Sequence, residues 1–119
     1  MNNAHLSKRR SPRLDVMGLV AATIGQPASS VVLKDISLEG CGFEASRALA
    51  RGSRHTMCFT APSGESVALR AEILTSRLLS SSDGPPRYLV GVRFMTEDGA
   101  AKRAVEWLID TVTSPLTFL

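Results

Sequence analysis

Two stretches of this chain alternate with a period of two, and that alternation restricts its fold more than any other feature. In residues 67–75, Val67, Leu69, Ala71 and Ile73 fall on one face, and Ala68, Arg70 and Glu72 on the other. In residues 87–94, Tyr88, Val90, Val92 and Phe94 alternate with Arg87, Leu89, Gly91 and Arg93. Successive side chains of a strand point to opposite sides, so both segments read as half-buried antiparallel strands. Four further segments, 14–24, 31–37, 41–45 and 54–60, read as strands from their β-branched and apolar content. In the last of them His55, Met57 and Phe59 share a face. Turn residues punctuate the series at Gly25-Gln26-Pro27, Glu39-Gly40, Pro62-Ser63-Gly64 and residues 80–86.

The period then changes. Ala101, Val105, Leu108, Ile109 and Val112 recur at helical spacing. Thr96 or Asp98 can cap the start, and Glu97 and Asp98 suit the positive end of the helix dipole. This is one amphipathic helix of about three to four turns, ending near Ser114-Pro115. Trp107 lies one position off its apolar stripe and is expected to be partly buried. Six strands followed by one helix describe an all-β-dominated chain, a small antiparallel barrel or sandwich with a helix packed on it.

A chain of 119 residues is the length of one domain and can build a core without disulfides or a structural metal. Its apolar share is 44%, but no apolar run approaches the ~20 residues of a membrane span. No apolar segment follows the basic N-terminus in secretory order. The expectation is a cytoplasmic protein in three parts: a flexible arm over 1–13, a barrel with its helix over 14–113, and a short apolar tail over 114–119.

The formal net charge of +3 is unevenly placed. Lys8, Arg9, Arg10 and Arg13 put four positive charges in the arm with no acid among them. The other 106 residues hold 10 basic and 11 acidic side chains. Arms of this kind meet phosphates or acidic surfaces. Arginine adds what lysine lacks, a planar guanidinium that stacks on a base or clamps a phosphate with paired donors.

Catalysis has little support. No glycine-rich phosphate loop is present. His5 lies in the arm, and His55 reads as a packed strand residue. Cys41 and Cys58 read as small core hydrophobes, not as a disulfide framework or a zinc site. We therefore expect no enzyme, metal or cofactor.

A second constellation is Asp35-Ile36-Ser37-Leu38-Glu39-Gly40, at the end of the second strand. Asp35 can accept N–H bonds from a guanine edge, and Ser37 is a small donor and acceptor at the same rim. Residues i and i+2 of a strand share a face, so the two can act together. Gly40 permits either a positive φ or a close approach of backbone. Ordinary turn chemistry explains the same residues if nothing binds there.

The two constellations together resemble the paired motifs of the PilZ domain, an RxxxR at Arg9–Arg13 and a [DN]xSxxG at Asp35–Gly40, in the same order. Gly91-Val92-Arg93-Phe94 is similar to that family's last barrel strand, and a helix follows, so the resemblance covers roughly residues 7–113. It implies a six-stranded antiparallel barrel that binds the bacterial second messenger cyclic di-GMP. It further implies that Arg9 and Arg13 contact guanine and phosphate and that Arg10 adds a contact. Asp35 and Ser37 would hold the guanine from the barrel surface, and Gly40 would shape the turn. With no output domain in view, the signal is expected to pass to a partner protein when the arm becomes ordered. Two other readings were open. One is an adaptor of the same fold that works by protein contact without nucleotide. The other is a binder of long single-stranded nucleic acid, which the scarcity of aromatic stacking residues disfavours.

Overall fold

The computed structural model describes residues 14–16, 18–79 and 84–113, with Asp15 described by its backbone alone. The basic arm and the apolar tail lie outside the described residues. Seven strands and one helix follow in chain order. They are β1 (Leu14–Asp15), β2 (Ala21–Ile24), β3 (Ser29–Ile36), β4 (Gly40–Ala45), β5 (Arg54–Thr60), β6 (Ser66–Leu78), β7 (Tyr88–Phe94) and α1 (Gly99–Thr113).

Six of the strands form a closed antiparallel ring, in the order β2-β3-β4-β7-β6-β5 and back to β2. Closure removes the free edges that would otherwise invite intermolecular pairing. Of the two architectures that alternation left open, the barrel is the one adopted. Its interior is filled by the inward faces of all six strands. Phe43, Phe59, Met57, Ile36, Ile73 and Val90 are each fully buried. The Phe59 and Phe94 rings meet edge to face, with centroids 6.0 Å apart and planes at 89°, an arrangement that suits the ring quadrupoles.

The segment 14–24, expected as one strand, is broken in two. Val16 and Val20 both point into the core, and a turn in which the Leu19 N–H bonds to the Val16 carbonyl at 3.0 Å separates the halves. Gly18 allows that turn, with φ at +84°. Both halves still lie along the same edge of β3, Leu14 opposite Ile36 and Ala22 opposite Val31. The strand thus keeps its place in the ring while a few of its residues loop out. β6 is longer than the alternation indicated and continues to Leu78, past the end of β5.

Two smaller expectations also change. Cys58 is exposed rather than a core residue, because Met57 and Phe59 on either side take the inward positions of β5. Cys41 is buried as expected. His55 lies on the inward side of β5 but only half-buried, its Nε2 2.9 Å from the Ser53 hydroxyl.

The helix begins where its cap is. Asp98 accepts the Ala101 N–H at 2.8 Å through its side chain, the usual device for an unpaired first-turn donor. Val105 and Leu108 then enter the core beside β6. Trp107 is half-buried, on the wall of a cleft of about 530 Å³ with Leu19, Pro62 and Val112. No described helix is long and apolar enough to cross a membrane.

Candidate functional site: the outer face of β3, β4, β7 and β6

Alternation along β3 is broken in its middle, and the site depends on that break. Val31 and Leu33 point inward. Continuing the alternation would send Asp35 into the core. A β-bulge intervenes: Leu33 lies opposite Phe43, and Asp35 lies opposite Gly42, the very next residue of β4. The extra residue, Lys34, shifts the phase by one, so Ile36 takes the buried position and Asp35 faces outward, half-buried. Bulges re-aim side chains in this way. The Asp35 carboxylate leans over Gly42, and a Cβ there would lie 3.2 Å from both of its oxygens.

The turn that follows is held by Ser37, which is only 4% exposed. Its backbone N–H donates to the Gly40 carbonyl at 2.8 Å, and its hydroxyl accepts the Glu39 N–H at 3.2 Å. The hydroxyl also reaches the Gly40 carbonyl at 3.4 Å. The strand proper ends at Ile36, so Ser37 belongs to the turn, with its side chain folded into it. Gly40 is needed for closeness, not for handedness: it is not among the glycines with positive φ. A Cβ at Gly40 would lie 1.9 Å from the Val92 carbonyl oxygen, which no side chain can occupy. The Phe94 N–H donates to the Glu39 carbonyl at 2.8 Å and pins the turn to the end of β7.

Around Asp35 the outer face carries ion pairs. Glu44 lies between Lys34, at 3.1 Å, and Arg87. Hydrogen bonds from Lys34 and then Arg87 hold its carboxyl below the usual glutamate range. Arg93, opposite Gly40, donates to Glu72 at 2.6 Å and lowers that carboxyl likewise. Among the described residues no group of three or more His, Cys, Asp or Glu side chains could hold a metal ion.

Asp35, Ser37 and Gly40 are therefore brought together in one turn, with Asp35 outward and Ser37 inward. Arg9, Arg10 and Arg13 lie outside the described residues, but Leu14, the residue after Arg13, pairs with Ile36 beside Asp35. The arm thus leaves the barrel next to the turn. Gly42, Gly91 and Thr75 share the outer face with Asp35 and were not singled out in the sequence. A row spread over four strands leaves no local motif.

A small closed antiparallel barrel with one packed helix and a pinned Asp-x-Ser-x-x-Gly turn defines the class. The chain belongs to the PilZ domain family: a sequence profile of the PilZ domain matches residues 7–111. No curated protein matches the sequence. Several solved structures share the fold. The PilZ domain of YcgR from Escherichia coli, solved with c-di-GMP, is 18% identical with a TM-score of 0.70, covering 89% of this chain and 92% of that one. MrkH of K. pneumonia in its apo state is 14% identical with a TM-score of 0.70, covering 88% of this chain and 52% of that one. The Bacillus subtilis inhibitor of motility MotI/DgrA is 12% identical with a TM-score of 0.62, covering 91% of this chain and 52% of that one. The chain thus spans nearly all of the YcgR domain but about half the length of MrkH and MotI.

Proposed function

We propose that this protein is a cytoplasmic receptor for cyclic di-GMP. The observation that carries the reading is the placement of Asp35. A bulge turns its carboxylate out of the core and onto the barrel face, at the edge where the chain enters from Arg13. Membership of the PilZ family and the likeness to a YcgR domain solved with c-di-GMP support the same ligand.

In this reading Asp35 accepts hydrogen bonds from the N–H groups of a guanine. Ser37 and Gly40 keep the turn closed so that the carboxylate stays in place. Arg9, Arg10 and Arg13 supply the charge and planar donors for two phosphates and a second base face. The ligand draws residues 8–13 across the outer face, and a downstream protein reads the surface so created. Ordering a backbone costs about 1–2 kcal/mol per residue. The arm therefore adopts its bound course only while phosphates and bases contribute contacts. No catalytic step, cofactor or membrane enters the scheme, and long nucleic acids are not its ligand.

Calorimetry with cyclic di-GMP tests the reading on the wild type and on Arg9→Ala, Arg13→Ala and Asp35→Ala. We expect binding by the wild type and a loss of at least about tenfold in each variant, as for a charge-assisted contact. No detectable binding by the wild type at high micromolar ligand would sink the idea and favour a nucleotide-independent adaptor.

A further inference from the structure

The barrel contains a second bulge that mirrors the one at Lys34. On β6, Leu69, Ala71 and Ile73 point inward, and alternation would carry Thr75 inward as well. Ile73 instead lies opposite Val92, and Thr75 lies opposite Gly91, the adjacent residue of β7. Leu74 is the extra residue, and Thr75 becomes exposed on the outer face. The two bulges flank the β4–β7 pair at the same height, because Gly42 and Gly91 are direct cross-strand partners. One row therefore crosses four strands: Asp35, Gly42, Gly91, Thr75.

The two middle positions of that row have no side chains. The two outer ones lean over them from opposite sides. The Asp35 carboxylate lies over Gly42, and the Thr75 hydroxyl lies where a Cβ on Gly91 would approach it to 2.9 Å. Two independent phase shifts thus bring a carboxylate and a hydroxyl to face each other across bare backbone. A flat ring can lie on peptide planes only where no Cβ lifts it away. Guanine fits the two rims: its N1–H and N2–H edge donates and suits a carboxylate, and its N7 and O6 edge only accepts and suits a hydroxyl donor.

We propose that Thr75 is a specificity-determining residue, donating to the acceptor edge of a guanine that lies flat on Gly42 and Gly91 while Asp35 holds its opposite edge. This rests on the cyclic di-GMP reading above and adds the floor and the second rim to it.

Calorimetry with cyclic di-GMP on the full chain tests the proposal, with Thr75→Val, Thr75→Ser, Gly91→Ala and Gly91→Val beside wild type and Asp35→Ala. Valine keeps the shape and strand preference of threonine and removes the donor, whereas serine keeps the donor. Thr75→Val should weaken binding about fivefold, the worth of one neutral hydrogen bond, and Thr75→Ser should stay close to wild type. Gly91→Val should weaken it about tenfold or more by lifting the ring from the floor, with Gly91→Ala between. Only the flexible Thr75 side chain stands near a Cβ at Gly91, so the alanine variant should fold. It carries the floor test if the valine variant melts early. Wild-type binding that Asp35→Ala abolishes but Thr75→Val and the Gly91 variants leave unchanged overturns this proposal and spares the receptor reading. Absence of wild-type binding overturns both.

Discussion

At the residue scale, the turn after β3 shows how a single hydrogen atom in place of a methyl group can decide a structure. Gly40 is buried with its Cα against the Val92 carbonyl, so Gly40→Ala must push β4 and β7 apart. We expect a loss of about 2 kcal/mol or more, read as a lowered urea midpoint with an unchanged slope. Ser37→Ala presents a milder case. It removes a buried hydroxyl and leaves the Glu39 N–H without its side-chain acceptor. That should cost about 1–2 kcal/mol in the same assay. A Ser37→Ala protein as stable as wild type would mean that the hydroxyl serves the ligand and not the turn.

At the element scale, the helix and the bulges do different work. The helix anchors by Val105 and Leu108, so Leu108→Ala should destabilise by about 2–5 kcal/mol through the cavity it leaves in the core. Asp98→Ala should cost only about 1 kcal/mol, by stripping the cap from Ala101, and a thermal melt distinguishes the two. The bulges add no comparable burial. Each exchanges regular pairing for a change of phase, which sets Asp35 and Thr75 on the outer face and leaves Ile36 and Ile73 inside.

Across the whole molecule, charge is arranged so that the barrel is stable at neutral pH. Glu44 and Glu72 are held by Lys34, Arg87 and Arg93, and both carboxyls are depressed in the folded state. A depressed acid stabilises the fold above its unfolded pKa and loses that contribution as pH falls through its folded pKa. The melting temperature should therefore fall below the ordinary glutamate range, and Glu44→Gln should flatten part of that fall. The pairs lie at the surface, so each is worth little alone and weakens with salt. A melting temperature flat from neutral pH to pH 3 would show that the pairs do not act on stability.

Much of this architecture was legible in the chain itself. Alternation marked the inward residues of β5, β6 and β7, the change of period marked α1, and the Asp-x-Ser-x-x-Gly spacing marked the turn. Those signals are local: each depends on neighbours a few positions apart, where side-chain direction repeats with the backbone. Alternation misled wherever the phase slips. Leu14–Ile24 reads as one strand because no local signal shows that Gly18 will loop it out, and Asp35 and Thr75 fall on inward positions if their strands are counted without bulges.

By itself, then, the sequence determined the elements, their order, the segments that bear charge and the family motif. The tertiary structure alone decided the closure of the ring, the contact that excludes a side chain at Gly40, and the row from Asp35 to Thr75. The physical reason is register. Which residues stand opposite one another across strands is set by packing the whole barrel at once, and one inserted residue on β3 and one on β6 are enough to turn a carboxylate and a hydroxyl toward the same bare pair of glycines.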